Sequence, residues 1–136
     1  MASSVVRWVT GKQFVGTDSG KHSIVLSTGD EGVGMKPSEL VLVGLSACTA
    51  VDVVEILAKK RLTLTGLEIL ASGEQDAAPP WAYRKIHLLY RLSGPDLTAE
   101  AVEKAIELSE SKYCSVAATL RGVAEITTSF EIVPAL

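Results

Sequence analysis

This sequence has few aromatic residues, only two histidines and no excess of basic charge. Phe, Trp and Tyr together make up 5% of the 136 residues, so the hydrophobic core must be mostly aliphatic. The net charge is −3, which argues against a general nucleic-acid-binding protein, because such proteins need a basic face to displace counterions. His22 and His87 lie far apart, so no zinc-type spacing exists. The sequence therefore predicts no metal and no other cofactor.

Long hydrophobic segments are also missing. The N-terminus lacks the basic start and apolar run of a signal peptide. The longest apolar run, residues 40–51, is shorter than the roughly 20 residues that a membrane-spanning helix needs. These features predict a soluble, cytoplasmic protein. In that reducing compartment Cys48 and Cys114 are expected to be free thiols rather than a structural disulfide.

The elements that the sequence does predict fit one globular domain over residues 1–136, of α+β class with mostly antiparallel pairing. Strand patterns and turn residues alternate with helical segments of different length. The predicted strands cover 7–27 as a meander, then 62–72, 81–93 and 124–132; the predicted helices cover 37–60, 99–111 and 115–120.

The first predicted helix is unusual because nearly every position from 40 to 51 is apolar or small, which is typical of a helix buried on all sides. Beyond it, a polar stripe of Thr49, Asp52, Glu55 and Lys59 is expected to face water. Two buried strands are the alternative, but the length and the lack of a turn favour a helix. A chain of this size has little sheet to cover such a helix, so the spare apolar surface indicates a partner, most simply an identical chain.

The two cysteines are the main candidates for chemistry. One interpretation of Cys48 is that it only packs in the core, because free cysteine is among the most buried residue types. A reactive Cys48 needs a cation or hydrogen-bond donor from elsewhere in the fold, since the dipole of its own helix fades within the first turn. Cys114 lies at a predicted helix start, where N–H groups favour a thiolate, so locally it is the better thiolate. The candidate cations are Arg7, Arg84, Arg91 and Arg121.

If Cys48 and Cys114 meet in space, they form a peroxidatic and resolving pair. One thiolate attacks a peroxide and becomes a sulfenic acid, and the other thiol condenses with it to a disulfide. Other catalytic patterns are absent: the sequence has no G-x-S-x-G, no P-loop and no G-x-G-x-x-G. Asp52 and Glu55 are expected to be solvated, and His87 to be half-buried with satisfied hydrogen bonds.

Two segments carry a resemblance to a known family. Lys36-Pro-Ser-Glu-Leu-Val-Leu-Val-Gly-Leu-Ser-Ala-Cys48-Thr-Ala-Val-Asp-Val-Val resembles the central helix of the OsmC/Ohr family, with a proline and an acidic residue at its start and a cysteine about three turns on. The second match is Lys112-Tyr-Cys114-Ser-Val-Ala, followed by the last strand. Order and spacing agree over residues 7–133. The Cys-Thr-Ala-Val-Asp-Val-Val motif is similar to a less characterised branch rather than to typical organic hydroperoxide resistance enzymes.

This resemblance implies an OsmC-like fold, with antiparallel sheets around a long buried central helix, in an intertwined homodimer. It implies a cytoplasmic thiol-dependent peroxidase that reduces organic hydroperoxides, with Cys48 peroxidatic, Cys114 resolving and Glu39 as the acidic site residue. This implication overrides the local argument for Cys114. The implied reductant is a dithiol such as a dihydrolipoyl group. The alternative is an OsmC-like small-molecule binding or stress-related protein without significant peroxidase activity.

The start of the long helix departs from the hydroperoxide-resistance branch. In that branch the acidic residue directly follows the proline and pairs with an arginine that polarises the reactive cysteine. Here Ser38 holds that position, and Glu39 follows one residue later, about 100° round the helix. Lys12 falls near the position of the arginine, and Ser115 replaces a proline often found after the second cysteine.

Overall fold

Three short strands form the first sheet of the computed structural model, which describes all residues from 1 to 136. β1 (Ser4–Thr10), β2 (Gln13–Asp18) and β3 (Ser23–Ser27) pair antiparallel in that order, which confirms the predicted meander. Gly11 has a φ of 52° in the turn between β1 and β2, a left-handed conformation that glycine adopts without a steric penalty. Every residue of β1 is exposed, Trp8 included.

A single long helix, α1 (Pro37–Lys59), follows the first sheet and confirms helix over the two-strand alternative. Pro37 and Glu39 occupy its first turn and Lys59 its last. Proline is tolerated there because the first-turn N–H groups have no partner within the helix, and the helix dipole favours an acidic residue at the start and a basic one at the end. One face is fully buried, and the opposite face is apolar yet exposed. The buried face holds Leu45, Thr49, Val53 and Leu57; the exposed apolar stripe holds Val43, Ala47, Val51 and Val54.

Within the single chain only one face of this helix is buried, so its burial on all sides, which requires a partner chain, stays a prediction. α1 is also longer than the apolar run within it. Its 23 residues, with a mean hydropathy of 2.1 in the most apolar window, are long and apolar enough to cross a membrane. The core helix of a soluble protein meets the same criterion, and the cytoplasmic location stays a prediction.

The second sheet contains a parallel pair. β4 (Gly66–Gln75) and β5 (Tyr83–Ser93) form an antiparallel hairpin, but β6 (Glu125–Ile132) pairs with β5 in parallel, with Lys85 opposite Glu125. The predicted antiparallel sheets are thus wrong for β6. The helical segment between β5 and β6 crosses over the sheet and returns the chain in the same direction, which a tight hairpin cannot do.

The helical crossover has three parts: α2 (Ala99–Leu108), a five-residue π-helical turn (Ser109–Tyr113, called the π-turn below) and α3 (Ser115–Leu120). The predicted boundaries of α3 are confirmed. The predicted helix 99–111 ends as an α-helix at Leu108, because the backbone widens there into the π-turn. The side chain of Thr98 caps α2 by accepting a hydrogen bond from the N–H of Ala101 at 3.2 Å.

The chain divides into two compact units, residues 1–41 and 42–136, so the predicted single domain stays a prediction. The hydrophobic core cluster lies in the second unit, where the inner face of β5 packs with residues of α1 and α2. One face of β5 is buried at Ile86, Leu88 and Tyr90. Half-buried His87, on the other face, makes hydrogen bonds to Thr127 at 2.7 Å and Ser129 at 2.8 Å, as expected.

Replacing a leucine on the inner face of this sheet is expected to destabilise the fold strongly. Leu88 is fully buried, so Leu88→Ala should lower the free energy of unfolding by about 2–5 kcal/mol. Leu70, on the neighbouring strand, is 49% exposed, and Leu70→Ala should lower it by less than about 1 kcal/mol. Urea titration of both variants measures the difference. Equal losses would contradict this assignment of the core face.

Candidate functional site

The two cysteines, far apart in the sequence, lie side by side in the second unit. Cys48 is in the middle of α1 and is partly exposed, and its Sγ lies 3.9 Å from the Oγ of Ser115. Cys114, directly before Ser115, is only 3% exposed. The two thiols are near enough for each to affect the pKa of the other. The structure therefore brings both sequence-predicted cysteines into one site.

The start of α3 supplies hydrogen-bond donors to this site. Cys114 is the N-cap of α3, and its sulfur accepts a hydrogen bond from the N–H of Ala117 at 3.3 Å. The N–H groups of Ser115 and Val116 act on the sulfur of Cys48. Such first-turn N–H groups have no partner within their own helix, so they are available to an external acceptor. The donor that Cys48 needs is thus a set of backbone amides from another helix.

These donors favour the thiolate of Cys48. Partial burial alone would raise the pKa of the Cys48 thiol. The hydrogen bonds from the N–H of Val116, from the Cys114 thiol and from Ser115 outweigh that effect, and the pKa lies below the ordinary value for cysteine. A partly exposed thiol with a lowered pKa has the properties of a reactive cysteine.

Cys114 has the opposite properties. The pKa of its thiol is raised to about 11, mainly by burial and also by the neighbouring Cys48, although the N–H of Ala117 lowers it. The local argument that made Cys114 the better thiolate is therefore wrong. Cys114 lies at the helix start as expected, but it is buried there. The amides of Ser115 and Val116 lower the pKa of Cys48.

A chain of side-chain hydrogen bonds lies directly behind the thiols. The hydroxyl of Ser109 donates to the carboxylate of Asp52 at 2.7 Å and lies 2.8 Å from the hydroxyl of Thr49, which lies 2.8 Å from the Tyr90 hydroxyl. Thr49, Tyr90 and Ser109 are fully buried. The prediction that Thr49 belongs to a solvent-facing stripe is therefore wrong, because its hydroxyl finds partners inside the core.

The candidate arginines of the second unit are engaged with carboxylates. Arg121 also donates a hydrogen bond to the backbone carbonyl of Glu110, so it ties the end of α3 to the π-turn. Burial raises the pKa of the Glu110 carboxyl, while Arg121 lowers it. The salt bridges pair Arg84 with Asp76, Arg91 with Glu68 and Glu131, and Arg121 with Glu110.

The remaining candidates, Glu39, Arg7 and Lys12, belong to the first unit. Glu39 is exposed on the first turn of α1 and forms no salt bridge. Lys12 is paired with Asp30, with 2.9 Å between its Nζ and the carboxylate. Arg7 is exposed on β1. The role of Glu39 stays a prediction.

Two cavities of the second unit lie close to the π-turn. The larger, of about 680 Å³, is lined by residues that include Ile106, Phe130, Glu110 and Arg121. The smaller, of about 310 Å³, is lined by residues of α1 and the π-turn, among them Asp52. Neither cysteine lines either cavity. The smaller one opens at the end of the hydrogen-bonded chain formed by Tyr90, Thr49, Ser109 and Asp52.

The fold is that of a known family. Residues 28–129 match the family model described as OsmC-like protein. The chain therefore belongs to the OsmC-like family, which confirms the resemblance found in the sequence.

Particular relatives are similar over almost the whole chain. Protein YhfA of Escherichia coli strain K12 is 36% identical over 130 residues, which cover 96% of this chain and 97% of YhfA. The crystal structure of a hypothetical protein from Aquifex aeolicus has a TM-score of 0.90 and 28% identity, with 100% of this chain and 98% of that one covered. The organic hydroperoxide resistance protein OhrB of Bacillus subtilis has the same fold, with a TM-score of 0.66, 15% identity and 96% and 98% coverage.

Sequence reasoning missed the residues that hold the π-turn. Thr49 stands alone in an apolar stretch of α1, and a lone hydroxyl at a buried helical position is a signal for an internal hydrogen bond. Ser109 gives a weaker signal, because a serine near the end of a helix is common. The backbone amides of Ser115 and Val116 give none, because every residue has such a group.

The two thiols are expected to differ in reactivity. Near neutral pH, iodoacetamide should modify Cys48 readily and Cys114 hardly at all, because a thiol with a pKa of about 11 is ionised in fewer than about one molecule in a thousand. Mass spectrometry of the peptides resolves the two sites. In urea both should react at similar rates. Faster labelling of Cys114 in the folded protein would contradict this site geometry.

Proposed function

We propose that this chain is a cysteine-based peroxidase that reduces organic hydroperoxides. The observation that carries the proposal is the proximity of a partly exposed thiol of lowered pKa, Cys48, to a second thiol, Cys114, whose neighbour Ser115 has its Oγ 3.9 Å from the sulfur of Cys48. The family supports it, because relatives with the same fold include proteins named for organic hydroperoxide resistance. Glu39 is proposed as the acidic site residue on the basis of the resemblance alone.

The first step is an attack by the Cys48 thiolate on the terminal oxygen of the hydroperoxide. An S–O bond forms and the O–O bond breaks, so the sulfur is oxidised to a sulfenic acid and the peroxide is reduced to an alkoxide. The alkoxide takes a proton from solvent and leaves as the alcohol. The amides of Ser115 and Val116 promote this step by stabilising the attacking thiolate.

The second step uses Cys114. Its sulfur attacks the sulfenic sulfur of Cys48, an S–S bond forms, and the thiol proton leaves with the hydroxyl as water. A dithiol reductant, such as a dihydrolipoyl group, then reduces this disulfide by thiol–disulfide exchange and becomes a cyclic disulfide. The two thiols are thereby regenerated.

We propose that the active form is a homodimer. The exposed apolar stripe of α1 supports this proposal, because Val43, Val51 and Val54 are about half exposed in the single chain. Exposed apolar side chains at a helical spacing of three and four form a continuous face that a partner helix covers favourably. A second copy of α1 presents the same face, as a twofold dimer requires.

Loss of the Cys48 thiol is expected to abolish peroxide reduction. Cys48→Ser should consume cumene hydroperoxide at no more than the uncatalysed rate in the presence of a dithiol, because the nucleophile is gone. The consumption of hydroperoxide over time measures this. Mass spectrometry of the parent after one equivalent of peroxide should show a Cys48–Cys114 disulfide.

Cys114→Ser is the matched control. It retains the nucleophile, so it should still reduce one equivalent of hydroperoxide and accumulate a sulfenic acid on Cys48 that dimedone traps. Parent-like turnover by Cys48→Ser would refute the proposed function.

A charge in the apolar stripe is expected to disrupt the dimer. Val51→Asp should behave near the single-chain mass of 14.4 kDa, because the dimer would have to bury an unpaired carboxylate. Val123→Asp, at a residue that is 59% exposed outside the stripe, is the matched control and should stay dimeric like the parent. Light scattering after size exclusion gives the masses. A monomeric parent, or a dimeric Val51→Asp, would overturn the dimer proposal.

A second candidate function is a small-molecule binding protein with unreactive thiols. The burial of Cys114 and its pKa of about 11 favour this reading, because a thiol that is rarely ionised attacks a sulfenic acid slowly. The disulfide measurement decides between the two. Two free thiols after one equivalent of hydroperoxide, with no peroxide consumed, would establish the binding protein as the better description.

A further inference from the structure

Ser109 makes contacts in two directions at the start of the π-turn. Its side chain faces α1 and bonds to Thr49 and Asp52. Its backbone carbonyl accepts the N–H of Cys114 at 2.9 Å, five residues later, and so closes the π-turn. One residue thus joins Cys114 to the position next to Cys48, because Thr49 directly follows Cys48 in α1.

We propose that Ser109 is a positioning residue, which fastens the π-turn to α1 and thereby holds Cys114 and the first amides of α3 against the sulfur of Cys48. Thr49 and Asp52 are the points of attachment, and Tyr90 holds Thr49 from the side of the sheet. The inference deepens the proposed function, and its catalytic meaning rests on that function.

The burial of the network supports this role. Ser109 and Thr49 have no access to water, so their hydroxyls find partners only within the protein. An unmade hydrogen bond there leaves a buried polar group unsatisfied, which disfavours any movement of the π-turn away from α1. π-Helical turns are uncommon and are frequently found at functional sites, so a dedicated attachment at this one is consistent with a role in the site.

The contacts of the far end of the π-turn differ. Ser111 donates its hydroxyl to the backbone carbonyl of Glu107 at 2.8 Å, within the same helical segment. Arg121 ties Glu110 to α3. Neither contact reaches α1. Ser109 is therefore the member of the π-turn whose side chain bonds to the helix that carries Cys48.

Ser109→Ala is expected to raise the pKa of the Cys48 thiol without touching either sulfur. The ionisable groups packed around the π-turn, namely Cys114, Asp52, Glu110, Arg121 and Tyr90, all remain in this variant. We expect the alkylation profile of Cys48 to move upward by about one pH unit, a roughly tenfold loss of thiolate near neutral pH. Peptide-resolved iodoacetamide labelling as a function of pH measures it.

Ser111→Ala is the matched control, a serine-to-alanine change in the same turn that leaves the link to α1 intact. Its Cys48 profile should coincide with that of the parent. A folded Ser109→Ala protein with an unshifted Cys48 profile would overturn the proposal. A shift of equal size in Ser111→Ala would also overturn it, because the effect would then come from the turn in general.

A second pair of variants decides the matter if Ser109→Ala does not fold. Thr49→Val keeps the shape and removes the hydroxyl, whereas Thr49→Ser keeps the hydroxyl and removes a methyl group. Positioning through hydrogen bonds predicts a raised Cys48 pKa in Thr49→Val and a parent-like value in Thr49→Ser. The reverse order would indicate packing alone and would overturn the proposal.

The labelling experiment separates this inference from the proposed function. Alkylation of Cys48 needs no peroxide and no turnover. If the parent has no peroxidase activity but Ser109→Ala still shifts the Cys48 profile, the proposed function is refuted and the positioning role of Ser109 stands. If the parent is active but the Cys48 profile of Ser109→Ala is unshifted, only the positioning role of Ser109 is refuted.

Discussion

The interaction between the sulfur of Cys48 and the first amides of α3 is the one on which the proposed chemistry of this protein depends. A thiol in the middle of an apolar helix is ordinarily inert, because burial disfavours its charged form. Here N–H groups from Ser115 and Val116 offset that burial and lower the pKa of Cys48. The side chains of Cys114 and Ser115 also lower this pKa, so the donors to Cys48 come from the segment around the start of α3.

The backbone amides of Ser115 and Val116 belong to the crossover between β5 and β6. Because β6 runs parallel to β5, the chain must pass over the sheet between them, and that passage contains α2, the π-turn and α3. The π-turn adds one residue to a helical turn, and one residue corresponds to about 100° of rotation around the axis. This adjustment sets the direction from which Cys114 and α3 approach α1. If residues 109–113 continued as an α-helix, a different side of the segment that carries Cys114 would face Cys48.

The sequence predicted the local parts of this arrangement and not their assembly. The boundaries of α3 and the choice of one helix rather than two strands for α1 both follow from periodicity and turn residues, which act over a few positions. The wrong predictions concern long-range contacts. Thr49 was expected in water because its buried partners, Tyr90 and Ser109, lie 41 and 60 residues away. The local argument for a Cys114 thiolate fails because the sequence gives no measure of the burial of this residue, whereas the resemblance already favours Cys48.

The position of Cys48 around α1 explains how one thiol serves both an internal and an external role. With about 100° between successive residues, Cys48 lies on the flank between the buried face, which includes Leu45 and Thr49, and the exposed stripe, which includes Ala47 and Val51. From the buried side it receives the donors of α3, which require close packing. On the stripe side it stays partly exposed, which a substrate requires. A cysteine one position later would take the buried place of Thr49, and one position earlier would lie within the stripe, away from the amides.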